Sequence, residues 1–488
     1  MFAFDNSYAR LPERFYAKLA PTKVAKPQLI RVNTPLAREL GVDADWLASP
    51  DGVAALAGNQ MPAGADPLAM AYAGHQFGHF VPQLGDGRAI LLGEVRAPNG
   101  TRYDIQLKGS GRTPFSRNGD GRAALGPVLR EYIVSEAMHA LGIPTTRTLA
   151  AVTTGENILR EEGLLPGAVL ARVARSHVRV GTFEFFASRG DTDGVRILAE
   201  YVIARLYPHA AEADNPILAL LETVIARTAE LIARWQCVGF IHGVMNTDNT
   251  SIAGETIDYG PCAFMDAYNP STVFSSIDHH GRYAYDQQPR IAWWNLTRFA
   301  ETLLPLLGEG EAGIGVAQKA LEVYPTLFEA AYKNGLRAKF GFSETREGDL
   351  GLFHDFFDLM AKAHADFTLA FRFLCDSADG NDDRLLSLFE DREALQVWLA
   401  KWRQRFELDG NTLPAARATA MRGSNPIYIP RNHRVESVIA AAYQGGDFAL
   451  FEEMLNVLSA PYDERPEFAG YAEPPTPDEI VHQTFCGT

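Results

Sequence analysis

Apolar residues recur every three or four positions through ILALLETVIARTAELIARWQ (217–236), the period of a helix that buries one face. The same texture begins near residue 195 and returns over 314–404 and 433–458, so the second part of the chain reads as helix-rich. The first part reads differently. RAILLGEV (88–95) and TRYDIQLKG (101–109) are strand-like runs flanking Ala97-Pro98-Asn99-Gly100, a strong turn signal, and they predict a hairpin. A Gly- and Arg-rich loop, GSGRTPFSRNGDGR (109–122), leads into a helical pattern, GPVLREYIVSEAMHALG (126–142). That helix opens with Pro127 near its first turn and stops at Gly142 before Pro144. Strand-like sequence then resumes and ends near LARVARSHVRVGTF (170–183). These patterns predict an α+β fold of two lobes, strand-rich then helical. The expected divisions are 1–184, 185–340 and a helical C-terminal extension, 341–488. Its Pro-rich, then polar tail (467–488) is expected to pack loosely.

After the long helix comes HGVMNTDN (242–249), the layout of a phosphotransferase catalytic loop with one residue missing. Such loops run His-Arg-Asp or His-Gly-Asp, then four residues, then Asn; the Asp orients or deprotonates the acceptor hydroxyl and the Asn holds Mg²⁺. Here His242, Gly243 and Asn249 are in register, and Val244 stands in the Asp slot. Nine residues after Asn249, Asp258-Tyr259-Gly260 matches the second metal-binding segment of a kinase-like fold, and TSIAGETI (250–257) is expected to form a hairpin between them. Mg²⁺ takes one or two oxygen-bearing side chains plus nucleotide phosphates, which Asn249 and Asp258 could supply. Taken alone, they read equally as solvated loop residues; the His242-Gly243 and Asp-Tyr-Gly context favours the metal. Asp248 is the only carboxylate in the loop that could replace the missing base, although position alone would make it a turn residue.

Upstream, Lys108 ends the second strand of the hairpin, where kinases carry their phosphate-binding lysine. Glu131 and Glu136 on the following helix could both pair with it; periodicity does not choose between them, and Glu131 is preferred here. Gly85-Asp86-Gly87-Arg88 and Asn118-Gly119-Asp120-Gly121-Arg122 are glycine-flanked turns whose amides could approach an anion, or simply turns. Arg172, Arg175 and Arg179 lie on one strand-like segment. Guanidinium forks match phosphate oxygens, with a salt-bridged surface as the plainer alternative.

Composition narrows the partners. The chain has 488 residues and a formal charge of −15, which argues against general binding to nucleic-acid backbones. No membrane span and no signal-peptide layout are evident, and the four cysteines are too widely spaced for a disulfide framework or a zinc site. A bacterial-type cytoplasmic protein, monomeric, is the expected reading.

The blocks YAGHQFGHFVPQLGDGRA, QLKGSGRTPFSRNGDGRAALGPVLREY, ARVARSHVRVGTFEFF, HGVMNTDNTSI, DYGPCAFMDAY and NPIYIPRNH together resemble the selenoprotein O family, protein kinase-like proteins that lack the usual catalytic Asp. The resemblance implies transfer of AMP from ATP to Ser, Thr or Tyr hydroxyls of proteins, with ATP reversed relative to kinases and pyrophosphate leaving. It also implies that Gly85, Gly87, Arg88, Lys108, Asp120, Gly121, Arg172 and Arg179 contact ATP. Asn249 and Asp258 would bind Mg²⁺, with Mn²⁺ the alternative ion, and Asp248 would accept the proton. A conventional kinase with a displaced base and a catalytically silent nucleotide-binding scaffold are the competing readings. Eukaryotic relatives place selenocysteine near the C-terminus, which suggests a redox disulfide here between Cys262, just after Asp-Tyr-Gly-Pro, and Cys486 in the tail. Two reduced thiols are the alternative in a reducing cytosol.

Overall fold

Alternation along a strand sends successive side chains to opposite faces, and this places the site. The computed structural model describes residues 1–410 and 412–484. Ten strands precede residue 175: β1 (Tyr16–Lys18), β2 (Gln28–Val32), β3 (Leu68–Met70), β4 (Gly74–Gln76), β5 (His79–Val81), β6 (Ala89–Arg96), β7 (Arg102–Lys108), β8 (Ala123–Ala124), β9 (Arg147–Arg160) and β10 (Gly163–Ala174). The main sheet runs β1-β3-β6-β7-β10-β9-β2, with β8 on β10, while β4 and β5 form a separate hairpin. β6 and β7 are the expected hairpin, closed by Ala97 N–H to the Thr101 carbonyl (2.8 Å) and Gly100 N–H to the Ala97 carbonyl (2.8 Å).

One face of this sheet is apolar. Ile105, Leu107, Val169, Ala171 and Val173 pack with Leu36, Leu47 and Leu56 from three short helices, Thr34–Glu39, Ala44–Ala48 and Pro50–Leu56. The opposite face carries Gln106, Lys108 and Arg172, with Gln106 directly across from Arg172 in the β7–β10 register. The helix Leu125–Ala140 covers that second face through Leu129, Ile133 and Ala137 against Ala151, Ala168 and Leu170.

The strand-like run expected to reach residue 183 stops at Ala174, and Val180–Ala187 is a helix. Its β-branched Val178, Val180 and Thr182 imitate a strand, but Arg179 takes an extended conformation at the helix N-terminus, its N–H donating to the Thr182 hydroxyl at 3.0 Å. Burial of Val180, Phe183 and Phe186 at helical spacing then outweighs local propensity. Arg172 and Arg179 therefore sit on two different elements.

The helix Pro216–Val238 runs from an Asn215 cap to Gly239, which takes a left-handed φ of +71°. Directly after it, β11 (Phe240–Ile241) pairs antiparallel with β12 (Ala263–Phe264), so residues 242–262 project as one excursion from a two-strand base. TSIAGETI (250–257) is not the hairpin expected. Its ends bridge outward instead, Ser251 to Arg179 and Thr256 to Thr145, because both neighbours already offer backbone partners.

Helices from Asp349–Ala363 to Ala449–Leu458 form the C-terminal extension, which packs back on the first lobe. Phe451 meets Tyr132 edge-on with ring centroids 5.3 Å apart, and Arg130 donates to Asn432 Oδ1 (2.8 Å). The fold is thus α+β with two kinase-like lobes. The tail is largely exposed from Glu473 to Gln483, as expected, but it is anchored at Thr484. The Thr484 hydroxyl donates to the Pro261 carbonyl (2.6 Å) and its N–H to the Phe274 carbonyl (2.8 Å).

Candidate active site

Five predicted residues converge between the lobes. Asp258 is reached by Arg172 Nη1 (2.6 Å to Oδ1), by Arg179 Nη1 at Oδ2 and by Lys108 Nζ at 3.6 Å. Lys108 pairs directly with Glu131, whose other oxygen takes Arg172 Nη1 at 3.3 Å. Glu136 points elsewhere, held by Arg147 at 2.7 and 2.8 Å and by Thr148 N–H at 3.1 Å. Burial alone would raise the pKa of Asp258; Arg179, Arg172 and Lys108 outweigh it and hold the carboxyl well below its usual range. Asp258 also sits at φ +63°, an uncommon backbone position for a non-glycine residue that is associated with functional sites.

The catalytic loop is fastened from both sides. The His242 ring stacks on Trp235 (5.4 Å) and its Nε2 donates to the Ile257 carbonyl at 2.8 Å, tying the loop to the residue before Asp258. Val244 is buried, so no carboxylate occupies the position of the kinase base. The Val244 carbonyl accepts from Asn249 Nδ2 (3.0 Å), leaving the Asn249 Oδ1 as an acceptor. Arg179 Nη1 bridges the two segments, donating to the Asp248 carbonyl (2.6 Å) as well as to Asp258. No cluster of three or more His, Cys, Asp or Glu that could hold a metal exists among the described residues. One amide oxygen and one carboxylate nevertheless fit a hard cation whose remaining ligands come from phosphates.

Asp248 is buried, and its Oδ2 accepts from Gln76 Nε2 (3.2 Å) while its Oδ1 has no hydrogen-bond partner among the described residues. Burial pushes this carboxyl up to about 6, against the pull of Arg179 and Gln76. Its contact with β4 is close, since a Cβ added at Gly74 would lie 2.6 Å from Oδ1.

The glycine turns pack locally, each on its own neighbours. Gly85 and Gly87 press on Phe115, where a Cβ would fall 2.3 Å and 2.9 Å from its atoms. Gly121 backs onto Gly111, whose N–H donates to the Gly121 carbonyl at 3.0 Å. Asp120 lies further out, half-exposed and paired with Arg160 at 2.8 Å, and Arg88 contributes its carbonyl to Gly109 N–H (2.7 Å). Arg175 stays apart from the cluster; its N–H donates to Glu255 (3.1 Å) and its carbonyl accepts from Arg205.

Several participants were not foreseen. Gln106 Oε1 accepts from Arg172 (2.6 Å), and its Nε2 donates to the buried Asp86 (3.1 Å) between the two glycines. Arg179 also lies over the Tyr72 ring, 4.7 Å from its centroid. A polar residue between Ile105 and Leu107, on the same strand face as Lys108, was the available signal for Gln106.

The sequence of this chain is matched by known proteins over its whole length. The family model described as protein adenylyltransferase SelO covers residues 1–459. The chain belongs to that family. It is 64% identical to the protein nucleotidyltransferase YdiU of Rhodopseudomonas palustris (strain HaA2), across 100% of this chain and 99% of that relative. It is 62% identical to the protein of the same name from Bradyrhizobium diazoefficiens and 61% to that from Rhizobium etli, covering 100% of this chain with 99% and 97% of those relatives. No helix among the described residues is long and apolar enough to cross a membrane.

Cys262 carries a buried free thiol that burial pushes up to about 12, so it is not a reactive thiolate where it stands. Cys486, its expected partner, lies outside the described residues.

Proposed function

We propose that this chain is a protein adenylyltransferase that moves AMP from ATP to a protein hydroxyl and releases pyrophosphate, using the residues of this cleft. The observation that carries the reading is the buried charge cluster around Asp258. Asp86, Gln106, Arg172 and Arg179 make this part of the site polar and densely charged, unsuited to adenine, with two guanidiniums that suit phosphate oxygens. A nucleotide entering phosphates-first would present its α-phosphorus to the catalytic loop.

In this reading Asn249 and Asp258 hold Mg²⁺ or Mn²⁺, which when bound would neutralise charge on the phosphates. Lys108, positioned by Glu131, and the two arginines bind phosphate oxygens, with Gly85, Gly87, Arg88, Asp120 and Gly121 shaping the nucleotide path. Asp248 accepts the acceptor hydroxyl proton at Oδ1 while the hydroxyl oxygen bonds to the α-phosphorus and the bond to pyrophosphate breaks. Most of the acceleration comes from positioning and charge, which is why a loop without its kinase base can still work. The Cys262–Cys486 disulfide belongs to the same proposal, supported by the Thr484–Pro261 contact beside Cys262; non-reducing peptide mapping under oxidant checks it.

ATP labelled at the α- or the γ-phosphate separates the readings. Protein labelling from the α-position is expected. Labelling from the γ-position alone would make the protein a conventional kinase, and nucleotide binding with no transfer of either label would make it a scaffold.

A further inference from the structure

The hairpin β4–β5 is bonded to the catalytic loop along its length. His75 N–H donates to Thr247 Oγ1 (2.7 Å), Gln76 Nε2 to Asp248 Oδ2 (3.2 Å) and Phe77 N–H to Asn246 Oδ1 (3.0 Å). Glu184 locks the arrangement from below, joining His75 Nδ1 (2.6 Å) and the Thr247 hydroxyl (2.5 Å). Asp248 is therefore held directly against this hairpin.

Beyond the hairpin tip lies Arg282. Its guanidinium carbon is 3.7 Å from where a Cβ on Gly78 would be, and it lies over the Trp294 ring at 4.8 Å and beside Tyr283 at 5.7 Å. Tyr283 is itself part of the loop assembly, donating from its hydroxyl to Asn246 Oδ1 at 2.6 Å and meeting the Phe77 ring at 5.0 Å. Among the described residues no carboxylate lies within 4.0 Å of the Arg282 guanidinium, and its Nε has no hydrogen-bond partner. The contrast is local: Arg298, on the same Trp294 at 5.1 Å, is paired with Glu301 at 2.5 Å. What sets Arg282 apart is its place, against the tip of the hairpin that holds Asp248. Phe80 is 39% exposed, and His75 ties Phe80 (4.9 Å) to Trp294 (5.3 Å) as one aromatic ledge.

We infer that this ledge is where the acceptor protein docks, and that Arg282 recognises an Asp or Glu flanking the hydroxyl to be adenylylated. The inference rests on the adenylyltransferase reading above, since that reading puts the hydroxyl at Asp248. Charge complementarity selects the occupant. A guanidinium stacked on an indole keeps its planar fork oriented for a carboxylate, and the apolar ledge covers the side chains between.

The test uses the full chain, α-labelled ATP and a peptide set with one Ser, Thr or Tyr and a single Asp, Ala or Lys at each flanking position. The wild type is expected to favour Asp at one flank by about 10-fold in kcat/KM over Ala and to disfavour Lys there, the scale of one charge-assisted hydrogen bond. Arg282→Ala should erase that preference and Arg282→Glu should reverse it towards Lys, with the KM for ATP within about 2-fold of wild type. An α-label transfer without an acidic preference, or a preference that survives both variants, overturns this inference alone. Label on the chain itself but on no peptide also overturns it. No α-label on any acceptor overturns the adenylyltransferase reading and this inference with it.

Discussion

Asp258 and Asp248 lie ten residues apart in one loop system, and their surroundings differ in nearly every respect. Asp258 is surrounded by three cations from the first lobe and the Arg179 helix cap, and its carboxyl stays ionised far below the usual range. Asp248 is buried and, among the described residues, has a single side-chain donor, Gln76, and one oxygen without a partner; its carboxyl rises to about 6. Two carboxylates whose environments push them apart take different tasks. The compensated one suits a permanently charged ligand for a cation. The under-compensated one suits a group that takes up and gives back a proton.

The largest expected effect comes from removing the compensated carboxylate. Asp258→Ala should lower α-label transfer by at least ~10³-fold, with loss of metal-dependent ATP binding measured by calorimetry. It should also leave Arg179 buried without its ion-pair partner and Arg172 with Glu131 alone, costing about 3–5 kcal/mol in denaturant unfolding. Equal tolerance of Asp258→Ala and Asp248→Asn would erase the comparison. Asp248→Asn is expected to cost about 10²–10⁴-fold in kcat, with the KM for ATP nearly unchanged, because only the proton acceptor is lost.

The choice between the two helix glutamates sharpens the same point. Glu131→Gln should reduce kcat/KM by about 10–100-fold through misplacement of Lys108 and Arg172. Glu136→Gln should leave transfer within about 2-fold and instead lower stability by about 1–3 kcal/mol, through its bonds to Arg147 and Thr148. If both variants behave alike in transfer assays, the pairing seen here does not govern catalysis.

The smallest effect concerns a buried charge that has no carboxylate partner among the described residues. Lys339 lies over the Phe371 ring at 4.1 Å, and burial pulls its pKa down to about 8 from 10.5. A lysine with a depressed folded pKa destabilises the fold when protonated. Its contribution is most favourable above pH 10.5, declines as pH falls towards 8 and is level below that. Lys339→Met should therefore raise stability at pH 7 by about 1–3 kcal/mol and flatten the pH dependence between 8 and 10 relative to wild type, checked by paired urea titrations.

Much of this was readable beforehand. The β6–β7 hairpin, the helix after residue 125 and the long helix before the catalytic loop follow from turn residues and apolar period. The segment after Ala174 was misread because β-branched residues favour strands locally, while burial of Phe183 and Phe186 decides for a helix. TSIAGETI was misread because a glycine-centred run looks like a hairpin until the neighbours that take its bridges are known.

By itself the sequence determined the local chemistry: which loop lacks a base, which side chains can hold a metal, and which arginines can meet phosphate. Those properties belong to residue types and short spacings. Only the tertiary structure decided that Glu131 rather than Glu136 meets Lys108, that Gln106 links Arg172 to Asp86, and that Gln76 on a distant hairpin holds Asp248. Each of these depends on strand register, helix rotation or long-range packing. A side chain's charge is written in one residue, but its pKa and its partner are set by distant neighbours, as Gln76 acts on Asp248 from 172 positions away along the chain.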